Sequence, residues 1–502
     1  MDFVQNFPFF SIILSMFSGI ISSVLPRKAA KLVNTIMICL VGALSLILLF
    51  YVIGTGSSYT YMMGHFPAPW GNEIRVGVLE AGMALFFCII MLFSLLGGRK
   101  KLNEEVEESK HSLYYILADL MLSSLLALVY TNDLFTAYVF VEINTIAACG
   151  LIMIRQNGRT IEAAVRYMIM SLLGSGMLLM GICMLYDLTG HLLMSNIHEQ
   201  VEVLASSGEY RVPLLVTIAL MSVGLAIKSA LFPFHAWLPD AYGYSTVSSA
   251  AILSSLVSKG YIFLLIKIIY RVIGVNIFDE SRIIDVLFAF GLMGMIFGSL
   301  SAIKENDVRR MIAYSSVAQI GYIYMGIGMG TQAGMAASVF HILTHAATKS
   351  LLFIAAIGLT DVSGGSRKFL ELTGAGYRNK WAGVGFAVGS LSMVGVPLFS
   401  GFISKLLFAQ AAVQNNVKML PALIVLGIST ILNAIYFMKT VIRIYTPEKR
   451  EVVVGKGFEE IHIWEQPAKS IALICFIVLN LLLGLSSEPV INLIEQGLQM
   501  FA

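Results

Sequence analysis

The chain has 502 residues, of which 57% are hydrophobic and 13% charged, and its mean hydropathy is +0.82. A water-soluble domain cannot hide that much apolar surface, so the solvent of this fold is lipid. A formal net charge of +3, with no long Lys/Arg run, excludes a phosphate-tracking patch, and nucleic acid is not an expected partner.

A hydrocarbon core about 30 Å thick takes roughly 20 apolar residues per helix. Segments of that length recur from end to end and place spans at 8–25, 32–54, 77–98, 111–130, 133–154, 161–188, 213–236, 245–271, 283–303, 308–329, 332–360, 381–411, 419–445 and 468–490. The expected fold is an all-α polytopic membrane protein of about 14 transmembrane helices in a bilayer of that thickness. Asp2 precedes the first stretch and Arg27, Lys28 and Lys31 follow it, the reverse of a secretory signal, so that stretch reads as a retained helix with its N-terminus outside.

With that start, the inside loops hold Arg27 and Lys28, then Arg99, Lys100 and Lys101, then Arg155 and Arg159, then Lys304, Arg309 and Arg310, then Arg367, Lys368, Arg378 and Lys380, then Lys449 and Arg450. The loop after the seventh span holds none, and the outside loops hold scattered cations such as Arg75, Arg211, Arg282 and Lys418. This asymmetry favours an even count with both termini outside, in the cell's inner (plasma) membrane. No extramembrane stretch exceeds about thirty residues, too few for a soluble catalytic domain. Glu104, Glu105, Glu107 and Glu108 read as a solvated linker. Cys39, Cys88, Cys149, Cys183 and Cys475 stand singly in apolar stretches and read as buried spacers. They lack metal-ligand spacing, so neither a metal, a cluster nor another cofactor is expected in this chain, and any redox site belongs to a partner.

A charge near the bilayer centre costs about 2.5–3.5 kcal/mol on insertion scales, so each one asks for a use or a partner. Glu142 lies deep in TAYVFVEINTIAACGLIMI, and it reads either as part of an ion path or as one half of a pin between helices. Lys228, in VGLAIKSALFPFHAWLPDAYG, is followed by Pro233 and Pro239, which are expected to break the seventh span. A broken helix is tolerated in a membrane where protein or a wet cavity satisfies the freed backbone, which is typical of transport sites. Gly395, Pro397 and Gly401 mark a second break in SMVGVPLFSGFISKLLFAQ, with Lys405 after it. Between the breaks come Lys259 and then His341, His345 and Lys349, which recur every four residues and so share one helix face over about 12 Å. Alternating imidazole and amine suits proton hopping, since histidine both donates and accepts. Lys267 and Arg271 are expected to snorkel to the outer interface.

Four stretches, KSALFPFHAWLPDA (228–241), NDVRRMIAYSSVAQIGY (306–322), HILTHAATKSLLF (341–353) and GVPLFSGFISK (395–405), together resemble the antiporter-like family shared by Mrp-type Na+/H+ antiporters, membrane-bound hydrogenases and the membrane arm of respiratory complex I. The resemblance covers about residues 65–445. It implies two inverted five-helix repeats, at 111–271 and 283–445, with helices 1–3 before them at 1–110 and a last helix and tail at 446–502. It implies a proton-transfer row from the Glu142/Lys228 pair through Lys259, His341, His345 and Lys349 to Lys405. The lysine at 405 and the segment HFPAPWGNEIRVG look most like the D-type branch of the Mrp antiporters, although Glu80 replaces the aspartate of that pattern. The partners implied are other membrane subunits, among them a paralogous antiporter-like subunit, with H+ as the ion and Na+ left open. A subunit of a redox-driven pump remains the alternative, and a solute permease or a passive scaffold are the competing classes.

Overall fold

The computed structural model describes residues 3–66, 71–208, 210–447 and 465–501; Lys449, Arg450 and the 67–70 part of the segment before the third span lie outside the described residues. Two helices, α1 (Phe7–Val24) and α2 (Arg27–Thr55), lead into a small antiparallel hairpin of β1 (Tyr59–Met62) and β2 (Glu73–Val76), in which Tyr59 pairs with Val76. There follow α3 (Val78–Glu105), α4 (His111–Tyr130), α5 (Leu134–Met153), α6 (Gly158–Thr189), α7 (Met194–Ser207), α8 (Arg211–Lys228), α9 (Leu238–Tyr244), α10 (Val247–Ile252) and α11 (Ser258–Ile268). The rest of the chain forms α12 (Val275–Glu280), α13 (Ile283–Lys304), α14 (Val308–Gly328), α15 (Gln332–Asp361), α16 (Ala375–Arg378), α17 (Lys380–Val394), α18 (Ser400–Val413), α19 (Met419–Ile444), α20 (Pro467–Leu485) and α21 (Ser487–Gln499). Some helix starts carry the side chains that backbone N–H groups need there. Asp133 caps α5, Asn157 caps α6, Asp307 caps α14 and Thr331 caps α15.

Among the described residues, twelve helical stretches are long and apolar enough to cross a membrane. Two expected spans are absent from those twelve. The tenth became α14, 21 residues whose first turn holds Arg309 and Arg310 and whose middle holds Ser315, Ser316 and Gln319. The twelfth is split into α17 and α18, of 15 and 14 residues. The seventh is shorter than expected, because α8 stops at Lys228. The hairpin and the two amphipathic helices α7 and α21 are additions to the expected fold.

Two spans sit at the centre. The stretch Val247–Ile273 and helix α15 are wrapped almost wholly by protein, which is why their sequences are apolar on every side. The outer helices instead turn Phe17, Ile36, Phe50, Leu172, Phe297 and Ile431 outward, towards lipid. Contact between helices relies on small residues, since lipid supplies no hydrophobic drive for helices to associate. In the α13–α14 pair, a Cβ on Gly321 would stand 2.6 Å from the Gly291 carbonyl oxygen. Cys88 and Cys149 are buried as expected; Cys39 and Cys183 are exposed on the perimeter, where an apolar thiol costs nothing in contact with acyl chains.

The described ends of the chain meet at one end of the bundle. Tyr59 donates to the Gln5 carbonyl at 3.3 Å, and Arg75 of β2 donates to the Met500 carbonyl at 2.5 Å. The opposite end is basic and internally paired. There Arg27 meets Glu108 at 2.8 Å, Lys101 meets Asp361 at 3.0 Å and Glu104 at 3.1 Å, and Arg310 meets Asp240 and Glu305. On this exposed rim the Lys110 ammonium beside Glu107 holds that carboxyl below the usual carboxylate range.

A Cβ on Gly401 would lie 1.8 Å from the Ser392 carbonyl oxygen, so the start of α18 can pack against α17 only without a side chain at 401. Gly401→Ala is expected to lower the melting temperature of the detergent-purified protein, at a cost of about 1–3 kcal/mol for overpacking. Gly427→Ala, which meets nothing within 4 Å, is expected to leave it unchanged.

Candidate functional site

One helix break follows a lysine, and a second lysine reaches back to the other break. α8 ends on Lys228, and the chain then turns through Ala230 (φ 62°) and Pro233 before a short 3₁₀ turn at Phe234–Trp237. Pro239, expected to break the span, instead stands in the first turn of α9, where the missing N–H costs no hydrogen bond. The second break runs from Gly395 to Phe399, with Gly395 at φ 91° and Pro397 between α17 and α18. A Cβ on Gly395 would press on Lys405 Cδ at 2.9 Å, so the lysine and the glycine depend on each other.

Lys228 is buried, with its Nζ 3.5 Å from Glu142 Oε1 and donating to Thr145 Oγ1 at 2.8 Å. The same ammonium lies 5.3 Å from the centre of the Tyr261 ring. Glu142 also accepts from Ser175 of α6. The Tyr261 hydroxyl donates to Asn144 Oδ1 at 3.0 Å and lies 3.4 Å from Thr145 Oγ1, which ties the pair on α5 and α8 to the central span.

That span is not a regular α-helix. Residues Leu253–Val257 and Ile269–Ile273 form π turns, whose wider hydrogen-bond step is often found at functional positions. Lys259 follows the first π turn and donates back to the Ser254 carbonyl and to Ser258 Oγ at 3.2 Å. In the same turn Ser255 donates to the Ala346 carbonyl at 2.9 Å and lies 2.9 Å from Ser350 Oγ, joining the span to α15.

On α15 the three residues of the stripe are all buried. Lys349 donates to the Ile312 carbonyl at 2.8 Å and to Ser315, both on α14. The His341 and His345 rings stack with centroids 5.8 Å apart, and Lys259, His345 and Lys349 lie within electrostatic range of one another. Tyr322 also stacks on His341 at 5.5 Å, and Lys405 Nζ lies 5.8 Å from the same tyrosine ring. Lys405 itself donates to the Val394 carbonyl at 2.6 Å, the last residue of α17. His341 Nδ1 is 2.6 Å from Ser404 Oγ. Among the described residues, both ring nitrogens of His345, His341 Nε2 and the Tyr322 hydroxyl have no protein partner. Buried polar atoms of this kind are ordinarily met by water, the medium a proton relay needs between its members.

All seven expected proton-transfer residues therefore lie in the interior or at its edge, in two groups. Glu142 and Lys228 form one with Tyr261; His341 and His345 join Lys405 through Tyr322. Lys259 and Lys349 stand between them. Sequence reading passed over Thr145, Ser175, Tyr261, Tyr322 and Ser404. Two carried a signal: Thr145 is three residues after Glu142 on the same helix face, and Ser404 adjoins Lys405. Lys267 and Arg271 do not snorkel. Lys267 is fully buried and donates to the carbonyls of Leu128, Val129 and Thr131 at 3.3, 2.8 and 2.6 Å, at the C-terminal end of α4, while Arg271 bonds Asn132 and lies 3.6 Å from Glu80. A helix C-terminus carries partial negative charge, so it holds a cation without any exit to the interface.

A family model described as "NADH:quinone oxidoreductase/Mrp antiporter, TM" matches residues 131–432. The chain belongs to this family. It is 32% identical over 451 residues, 88% of each chain, to NADH-quinone oxidoreductase subunit N of Desulforudis audaxviator. It is 24% identical over 429 residues, 85% of this chain and 83% of the relative, to the D-type Na(+)/H(+) antiporter subunit of Alkalihalophilus pseudofirmus. Among solved structures, a chain of the membrane-bound sulfane sulfur reductase, an archaeal respiratory membrane complex, matches 99% of this chain and is covered to 97%, with a TM-score of 0.87 and 26% identity. A chain of the Mrp complex from Dietzia sp. shares the fold over 100% of both chains, with a TM-score of 0.86 and 23% identity. This protein is thus an antiporter-like, multi-pass membrane subunit, and its relatives work in multisubunit membrane complexes.

Removing the Lys267 amine leaves the end of α4 without its donor. Lys267→Met is expected to destabilise the purified protein by about 1–3 kcal/mol, read as a lower melting temperature in detergent; a snorkelling lysine would give no change.

Proposed function

We propose that this subunit carries protons across the membrane along the row Glu142, Lys228, Lys259, His341, His345, Lys349 and Lys405, as part of a multisubunit complex with other membrane subunits, one of them a paralogue. The observation that carries this reading is the Lys228–Glu142 pair: an ammonium buried at the end of a broken helix, 3.5 Å from a carboxylate inside the membrane. Burial favours the neutral form of an amine and an adjacent carboxylate favours the charged form. A lysine between those two influences can take up and release a proton when the carboxylate moves or is neutralised. The energy scale fits, since one charge moved through 100 mV is worth about 2.3 kcal/mol.

In this reading the two helix breaks belong to two inverted repeats, 111–271 and 283–445, within fourteen crossings that leave both termini outside the plasma membrane. The basic end of the bundle is then cytoplasmic, as the distribution of Lys and Arg favours. The lysine at 405 supports a place in a Mrp-type cation/proton antiporter, in the position of its D-type component, with Na+ as the counter-ion of the complex. The NADH-quinone oxidoreductase relative, at 32% identity, favours a second reading, a pump whose driving electron transfer occurs in another chain.

The test is pH-gradient formation in everted vesicles that hold the whole complex, at equal assembled protein. Lys228→Ala and Glu142→Gln are each expected to abolish proton movement, and their combination to cost no more than either alone, because the two act as one unit. Undiminished flux in both variants would overturn the relay. A gradient driven by added Na+ would place the chain in an antiporter, and one that requires an electron donor would place it in a redox pump.

A further inference from the structure

A second buried acid lies away from this row. Asp119, in the middle of α4, has no exposed surface, and it stands where α1, α2 and α4 meet. Ser18 of α1 donates to its Oδ2 at 2.9 Å and Asn34 of α2 donates to its Oδ1 at 2.5 Å. Both partners are neutral, and no charged side chain pairs with Asp119 among the described residues. The buried face of α1 is rich in serine: Ser11, Ser15, Ser18 and Ser22 are all buried beside Ile12 and Gly19, and the Ser22 hydroxyl has no hydrogen-bond partner among the described residues. Gly19 brings the α1 backbone so close that a Cβ there would lie 3.5 Å from Asp119 Cβ.

The acid itself is enclosed, but open space leads from the basic end to the residue that bonds it. A cavity of about 790 Å³ opens between α2 and α3, lined by Arg27, Lys28, Lys31, Arg99 and Glu108 among others. A narrower cleft shares Lys31, Thr35, Leu96 and Arg99 with it and continues inward to Asn34 and Tyr115. Asn34 is the residue that bonds Asp119, and Tyr115 lies one helical turn from it on α4. The charged and titratable groups facing this path are therefore Arg27, Lys28 and Lys31 from α2, Arg99 from α3, Glu108 from the turn before α4 and Tyr115 from α4, with none from α1; at the foot of α4, His111 Nε2 lies 3.0 Å from the Val106 carbonyl.

A carboxylate buried in a membrane without a cation must be neutralised, because leaving it bare costs far more than two neutral hydrogen bonds return. We infer that Asp119, with Ser18 and Asn34, is a second proton-binding site, filled and emptied from the basic end through the Lys31–Arg99 cleft and separate from the Lys228 row. A site built of one carboxyl and two neutral groups is too small a ligand set for Na+ or K+, and the serine and asparagine re-aim as the carboxyl gains or loses its proton. Asn34 offers Nδ2 to the carboxylate and Oδ1 to the acid, and a serine hydroxyl serves either form.

The test is infrared difference spectroscopy of the assembled complex in oriented vesicles, titrated from the basic side. A protonated-carboxyl C=O band is expected that is lost in Asp119→Asn, shifts in Asn34→Ala and disappears as pH rises on that side. Thr35→Trp, which fills the cleft but touches no ligand of the proton, is expected to slow the response of the band to a pH jump. Absence of such a band at every pH, or a band indifferent to pH on the basic side, would overturn the proposal. Loss of the band on adding Na+ at constant pH would overturn the proton assignment in favour of a sodium site. Lys228→Ala is expected to leave the band in place, so failure here is distinguishable from failure of the main relay.

Discussion

Backbone carbonyls hold the buried amines of this protein inside the membrane. Lys259 donates to the Ser254 carbonyl, Lys349 to Ile312, Lys405 to Val394 and Lys267 to three carbonyls at the end of α4, while the guanidinium of Arg309 donates to Ser245 at 2.5 Å. Lipid offers an ammonium nothing, and a full counter-charge would fix it in the charged form. A carbonyl dipole lies between those extremes. It solvates the cation and can remain, at modest cost, when the proton leaves. Lys228 is the departure among the central lysines: its partners are a hydroxyl and a carboxylate, so its charge answers to that of another residue.

Except at Ile312, which lies within α14, these carbonyls are free because the helices are irregular at the same positions. A continuous α-helix commits its carbonyls to N–H groups four residues on; only ends, breaks and wide turns leave some to spare. The break after Val394, the π turn at Leu253–Val257 and the end of α4 each supply one or more. Glycine at 395, proline at 397 and the crowding of serines at 254, 255 and 258 are thus the backbone side of the same feature that appears as a row of lysines on the side-chain side.

The sequence carried the membrane class, most of the long spans, both breaks and the enclosed positions of the seven titratable residues, because each polar position is a local violation of an apolar background. Glu142 and Lys405 stand out in any hydropathy trace. What it hid are features whose signal is relational. The π turns leave no mark beyond small polar residues. Lys267 looked ready to snorkel because it sits near a span end, and only the arrival of the α4 terminus beside it shows that it has a partner. Glu80 and Arg271 lie nearly two hundred residues apart yet pair at 3.6 Å. Asp119 drew no notice in ILADLMLSSLL, since one aspartate among leucines reads as a span tolerating a single polar group until Ser18 and Asn34 are seen to converge on it. The last span was expected to run on to 490, past the end of α20 at Leu485, and most of the amphipathic α21 falls in what reads as the tail.

The two members of the Lys228 pair differ in depth: the lysine side chain is wholly enclosed, while a quarter of the Glu142 side chain reaches the outer surface of the bundle. In the proposed relay a neighbouring subunit covers that patch, since a carboxylate at mid-membrane depth is costly against acyl chains. The cover then becomes an electrical terminal. A charge presented by the neighbour beside Glu142 acts first on the carboxylate and through it on Lys228, and the chain taken alone is a circuit with its input left open.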